Sequence, residues 1–303
     1  MAGFVQTVGG NSDLTSNGEE YLSPAKKSVQ NTLTRLLRGS IETQLIIERE
    51  HECADVLDGD FDALYRKAEV EAVLNSDAEL SRLLIARNND ISKATDMALE
   101  MIRIRTRIDI KTMPPSEIPT ALEQGTLRWS GYDKEGSPIL ICRSKEWRPW
   151  EYQHGAEEYT KYVFYLLSLL VSSMTSKNDQ FVCIFVMGNY NARMMGPVAM
   201  KCTKAMIDVV QKCFPERAKA VYLVEHPFVF SLAWKVIRPW IAQKTRSKVN
   251  FLDGSVESYG PRLCELIEES ELEVDLGGSM SGFYPTHEKG YREEMERIYA
   301  DNK

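Results

Sequence analysis

No cysteine pair at CxxC spacing occurs in this 303-residue chain, although it has six cysteines, Cys53, Cys142, Cys183, Cys202, Cys213 and Cys264. Most sit in apolar surroundings, so they read as buried thiols of a reducing compartment and not as a disulfide framework or a zinc site. A basic excess is lacking too. The net charge of -7 argues against nucleic acid as a partner, although a local cationic patch can still face anionic lipid. The stretch from Met1 to Ser23 is rich in Gly, Ser, Asn and Thr and carries no apolar core of a secretion signal. The longest apolar stretch, Tyr162 to Val171, is far short of the roughly 20 residues a membrane-spanning helix needs. A cytoplasmic protein is expected.

Catalytic signatures are equally scarce. No GxxxxGK[ST] loop is present, no GxGxxG follows a strand, and the glycine-bounded Gly188 to Gly196 has the wrong spacing to cradle a pyrophosphate. The Gly277 to Gly282 run places Met280, not a serine, at the centre of the GxSxG-like window, so it reads as a flexible Gly/Ser turn. His51, His154, His226 and His287 lie far apart without HExxH or paired Cys/His spacing. His226, between Glu225 and Pro227, has no nucleophile paired with it and suits a turn at a strand end. Neither an enzyme nor a metal or cofactor site is expected.

What is present has a clear order. Residues 1–27 are polar and small, the composition of a disordered leader. Residues 28–112 read as a helical subdomain. Ser76-Asp77 with Glu79 marks a helix start, followed by Leu80, Leu83 and Leu84 on one side. Ser92 with Thr95 opens a further helix with Ala94, Met97, Ala98 and Met101 as its apolar face. From Ile102 to Ile110 isoleucines alternate with polar residues, a strand period, yet continuity with the preceding face favours helix to about Arg107. The prolines from Pro114 to Pro119 form a linker. Residues 120–278 then alternate strands and helices. Strands are expected at 127–129, 139–142, 181–187, 220–224 and 249–252, and helices at 157–174, 197–213 and 228–240. The 197–213 helix carries Val198, Cys202, Ala205, Met206 and Val209 on one stripe. This is the pattern of an α/β domain with a mostly parallel sheet. Residues 279–303 read as a helical tail.

Three stretches in order carry a family resemblance: RLLIARNNDISKA (Arg82 to Ala94), CFPERAKAVYLVEHPFVFSLAWKVIRPWIAQKTRSKVNFL (Cys213 to Leu252) and LEVDLGG (Leu272 to Gly278). Together they resemble the CRAL-TRIO lipid-binding family, in its phosphatidylinositol-transfer branch, over about Leu74 to Gly278. The resemblance implies an α/β fold, with a helical N-terminal subdomain beside a mostly parallel sheet that floors an apolar lipid cleft. The helix bearing Phe228, Phe230, Trp234, Ile237 and Trp240 corresponds to a gate over that cleft. It also implies that Arg87, Glu216, Thr245 and Lys248 hold the headgroup. The residue types suit that role, because a phosphodiester needs cationic and hydroxyl donors and inositol hydroxyls need an acceptor. Taken singly, each has an ordinary explanation as a solvated side chain.

The departures from the family pattern are informative. Asn88 stands where a second basic residue is frequent, Val186-Met187-Gly188-Asn189 replaces an Asp-Leu-x-Gly-type strand end, and Phe181 and Cys183 fall where relatives place a Ser and a Thr for a phosphatidylcholine phosphate. Any second lipid is therefore expected to be more apolar. The expected ligand is one phospholipid, phosphatidylinositol first, exchanged or presented during transient contact with a membrane surface. The alternatives are a carrier of a tocopherol, retinoid or sterol-like molecule, and a regulatory module recruiting a protein through Ser28 to Asn75 or the tail from Glu288 to Lys303.

Overall fold

A computed structural model describes residues 24–55, 64–110, 113–172, 174 and 178–281. The leader through residue 23 and the tail beyond residue 281 lie outside the described residues. Helix α1 (Pro24–Asp55) starts inside the segment assigned to the leader, since a proline suits the first helical position, where its missing N–H is not needed. Leu37, Ile41 and Leu45, spaced four apart, are buried from α1 into a helical core. That core is completed by α2 (Lys67–Leu74), α3 (Asp77–Ala86) and α4 (Ile91–Arg107).

Caps explain the boundaries. Ser76 accepts from the Glu79 backbone N–H at the start of α3, as expected. Helix α4 instead begins at Ile91 and is capped two residues before Ser92, because the Asp90 carboxylate accepts from Lys93 N. Thr95 is used inside the helix, donating to Ile91 O and meeting the Ser40 hydroxyl of α1. The alternating stretch is helical to Arg107. Its arginines are placed by ion pairs, Arg103 to Glu48 and Arg105 to Glu79, so the period-two pattern reflects partners on two sides and not a pleat.

After the proline linker and the short α5 (Pro119–Gln124) comes a five-stranded sheet in the order β1 (Leu127–Tyr132), β2 (Pro138–Arg143), β3 (Phe181–Val186), β4 (Ala218–Val224) and β5 (Val249–Leu252). The first two strands form an antiparallel hairpin, and β2 to β5 run parallel. The strand period sorts side chains between two cores. Val182, Ile184 and Val186 face a packed layer closed by α10 (Val256–Cys264) and the segment around Leu272 and Leu276. Phe181, Cys183 and Phe185 face the other way, towards α6 (Gly155–Ser172), α7 (Pro197–Cys213) and α8 (Phe228–Ile237).

The expected helix at 228–240 is α-helical only to Ile237 and continues as a 3-10 turn, Arg238–Trp240, because Pro239 cannot donate to the α ladder. A short α9 (Gln243–Arg246) then leads to β5. Val198, assigned to the buried stripe of α7, is exposed in the first turn of the helix, whereas Cys202 and Val209 are buried. The Gly277 run is a packed turn: Gly277 has φ +96°, and a Cβ on Gly278 would sit 2.0 Å from Leu272 O. Glycine is required there by close approach, not for flexibility. No helix among the described residues is long and apolar enough to cross a membrane.

Candidate lipid-binding site

The sheet face that carries Phe181, Cys183 and Phe185 does not pack solidly against the helices over it. A cavity of about 170 Å³ lies between them. Its floor is formed by alternate residues of β2 to β5, its wall by Tyr159, Val163 and Leu167 of α6 with Met206 and Val210 of α7, and its roof by Phe230, Trp234 and Ile237 of α8. Among the described residues none that lines the cavity is charged.

Helix α8 has two apolar faces. Phe230, Ala233 and Ile237 are buried, while Phe228 is 82% exposed and Leu232 and Val236 are also exposed. Phe228, Leu232 and Val236 are four residues apart, so they form an outward stripe one above the other. Of the five side chains assigned to the gate, Phe230, Trp234 and Ile237 line the cavity, Phe228 points outward, and Trp240 packs against the core from the 3-10 turn. The far end of the roof is held by Gln211, which donates to Trp240 O at 2.9 Å and accepts from Ala242 N at 2.5 Å. The outward Leu232 escaped sequence reasoning, because a helix apolar on most of its sides does not reveal which side faces solvent.

Three of the four proposed headgroup residues come together at the amino ends of β4 and β5. Lys248 Nζ lies 3.5 Å from Glu216 Oε2 and donates to Ala218 O at 2.7 Å. Lys248 N donates to Thr245 O, so the tight turn between α9 and β5 brings both residues to one place. Thr245 also lines the cavity, which places the group at the cavity's rim. Glu216 has φ +58°, a left-handed conformation that costs a non-glycine residue energy. Its carbonyl accepts from Gln180 Nε2. Arg87 caps the carboxyl end of α3, and its guanidinium donates to Ala86 O at 3.4 Å. The end of α3 that carries it is tied to the α9 turn, where Lys244, next to Thr245, donates to Ile85 O.

A buried ionic cluster missed by sequence reasoning adjoins this rim. Glu79 binds Arg82 at 2.6 Å and Arg105 at 2.7 Å, with Arg217 at 3.6 Å, and Arg82 reaches Asp179 at 2.6 Å. Arg105 also donates to Cys213 O and Arg217 to Asp179 O. Burial alone would raise the Glu79 carboxyl, but Arg105 and Arg82 beside it hold it at about 2. The cluster ties α3 and α4 to the loops around β3 and β4, and so sets where Arg87 stands relative to Glu216.

The LEVDLGG segment is also structural. The buried Glu273 accepts from Arg128 at 2.9 Å and from Arg143, while Asp275 takes Arg143 at 2.7 Å, pinning the segment across β1 and β2. His226 lies 2.8 Å from Asp253 and packs edge-on to Phe251 at the end of β4. Cys142, Cys183, Cys202, Cys213 and Cys264 are free thiols. No group of three or more His, Cys, Asp or Glu among the described residues is placed to hold a metal ion.

A family model described as the CRAL/TRIO domain matches residues 122–278, just over half of the chain. The chain belongs to the CRAL/TRIO domain family. This is a family of lipid-binding and lipid-transfer domains, and the cavity lies inside the matched segment. Similar proteins include a CRAL-TRIO domain-containing protein of Caenorhabditis elegans, 27% identical over 219 residues, which are 68% of this chain and 30% of that protein. Phosphatidylinositol/phosphatidylcholine transfer protein SFH7 of Arabidopsis thaliana is 26% identical over 211 residues, 65% of this chain and 38% of that protein. Alpha-tocopherol transfer protein-like of Mus musculus is 28% identical over 188 residues, 59% of this chain and 52% of that protein. The chain thus spans between about a third and a half of the length of these relatives. The crystal structure of Sfh5 superposes with a TM-score of 0.56 at 16% identity, covering 91% of this chain and 97% of that chain, a likeness of fold.

Proposed function

We propose that this CRAL/TRIO domain binds one phospholipid, phosphatidylinositol first, and exchanges or presents it at the cytoplasmic surface of a membrane without catalytic chemistry. The observation that carries the reading is Thr245, which lines the apolar cavity and stands in the same turn as the Lys248–Glu216 pair. A lipid with its chains in the cavity has its headgroup at that rim. Arg87 and Lys248 then meet the phosphate, Thr245 donates a hydroxyl, and Glu216 accepts from inositol hydroxyls. The name of SFH7 supports the choice of phosphatidylinositol, and that of the tocopherol transfer protein-like relative keeps other hydrophobes as the alternative.

Energetics require a gate. Burying acyl chains contributes about 0.8 kcal/mol per methylene, so two chains totalling some 30 methylenes represent on the order of 20 kcal/mol. Release into water is then negligible, and exchange needs contact between the cavity mouth and a bilayer. The cavity of about 170 Å³ is also smaller than the roughly 300–1,000 Å³ typical of ligand pockets, so loading requires the roof to move. Helix α8 suits that part. Its outward Phe228, Leu232 and Val236 enter the interface, and Lys235, Arg238, Lys244 and Arg246 attract anionic lipid.

Extraction of the purified protein with organic solvent, followed by mass spectrometry, tests the ligand directly. Phosphatidylinositol is expected in the extract. A different hydrophobe found in its place, with pick-up from vesicles unchanged in an Arg87→Ala, Lys248→Ala variant, would sink the headgroup assignment.

A further inference from the structure

Helix α1 carries two stripes on opposite sides. One is the buried set of Leu37, Ile41 and Leu45. The other runs along Val29, Thr32, Leu36, Gly39, Thr43 and Ile46, all of them exposed and none charged. Val29, Leu36 and Ile46 are 60%, 53% and 58% exposed, and none of the three packs into a core. The hydroxyls of this stripe are already paired, since Thr32 Oγ1 donates to Ser28 O and Thr43 Oγ1 to Gly39 O. The spacing is that of a heptad seam: Val29, Leu36 and Thr43 are seven apart, as are Thr32, Gly39 and Ile46. A helix face that meets only water ordinarily carries charge. An uncharged seam about 26 Å long, at 1.5 Å per residue, is the mark of a contact surface.

The seam fits a second copy of itself run in the opposite direction. Its gaps of three, four, three, four and three residues are palindromic. An antiparallel register that sets Val29 against Ile46 of the second copy therefore also sets Thr32 against Thr43 and Leu36 against Gly39. The large side chain at the middle then meets the residue that has none, and a Cβ on Gly39 would touch nothing within 4 Å, so the space for Leu36 is open. A parallel pair would oppose leucine to leucine and leave the two glycines across an unfilled gap. Charge obeys the same symmetry. Arg35 and Glu42 flank the seam on one side, both are exposed, and among the described residues neither meets an opposite charge within the chain. The antiparallel register places Arg35 beside Glu42 of the second copy, twice over by the two-fold axis.

We infer that the outward face of α1 is a self-association surface, on which a second copy of the chain docks antiparallel through the same helix. The core beneath α1 shares no residue with the cavity lining, and none of the four proposed headgroup residues lies on α1. The contact therefore stands or falls independently of which lipid the cavity takes.

Sedimentation equilibrium of the full chain, over a range reaching about 200 μM, reads the association directly. The mass is expected to move from monomer to dimer within that range. Gly39→Leu fills the space that Leu36 of the second copy must enter, and should weaken the dimer about tenfold or more. Leucine forms helix better than glycine at an exposed position, so this variant should melt no lower than wild type. Arg35→Glu and Glu42→Arg should each weaken the dimer, and an equimolar mixture of the two variants should restore it, because both contacts then join opposite charges. Wild type that stays monomeric at the top of the range overturns the inference, whether the seam is bare or taken by another protein. A dimer that Gly39→Leu leaves intact, or a mixture no tighter than its separate variants, overturns it as well.

Discussion

The amino edge of the sheet and the interior it floors treat charge in opposite ways. At the edge, Glu79 is buried yet ionised because Arg82 and Arg105 contact it directly and Arg217 stands close by. A few residues away Lys248 and Glu216 form a half-buried pair, and Arg87 has no carboxylate among its hydrogen bonds. Inside, among the described residues, none that lines the cavity is charged. The lesson is that this fold admits buried charge only where partners come from several elements at once. A lipid is amphipathic in the same sense, and the molecule offers a charged edge to one of its ends and an uncharged cavity to the rest.

That contrast can be broken most severely by placing an ion inside. Cys183→Asp would put an unpaired carboxylate against the cavity floor, with an expected loss of about 4 kcal/mol in urea unfolding and no lipid uptake. A variant of near wild-type stability would mean the interior is wetter than its lining suggests.

The next effect comes from discharging the edge by acid. The Glu79 carboxyl sits at about 2 in the folded chain against an ordinary 4.5, so the folded state binds fewer protons and is stabilised above pH 4.5. That contribution, on the order of 3 kcal/mol, is lost as pH falls from about 4.5 towards 2. Chemical denaturation at a series of pH values should show the loss in wild type, and a Glu79→Gln variant should show a smaller slope across that window.

Removing the rim cations should act on ligand rather than fold. Arg87→Ala with Lys248→Ala is expected to lower phosphatidylinositol pick-up from vesicles at least tenfold, with the melting temperature shifted by only a few degrees, because both side chains are partly solvated. The smallest change in stability is expected from Phe228→Asp, within about 0.5 kcal/mol, since that side chain is almost fully exposed. Its signature is kinetic: vesicle-to-vesicle transfer slows several-fold while the amount of lipid bound at equilibrium stays the same.

Much of this architecture was legible from residue order. Val249–Leu252 and Pro197–Cys213 occupy the expected bounds, the helix because a proline start and a Pro215 stop leave few choices. The lipid cleft was legible through resemblance, not through periodicity. Some boundaries moved for local reasons that compete with pattern: Asp90 outranked Ser92 as a cap, and Pro239 ended α8 before Trp240. Other features had no signal in one dimension. Asp179 looks like any loop acid until Arg82, 97 positions earlier, reaches it. Trp147 and Ser144 look like ordinary core residues in the sequence, yet among the described residues neither Trp147 Nε1 nor Ser144 Oγ finds a hydrogen-bond partner.

Local chemistry, then, settled the helices, the strands and the apolar character of α8, because caps, prolines and side-chain period act over a few residues. Which face of α8 meets solvent, which arginines surround Glu79, and which buried polar atoms are left without partners were settled only when distant segments packed. Those properties belong to pairs and groups of residues brought together by the sheet, and no single stretch of chain contains them.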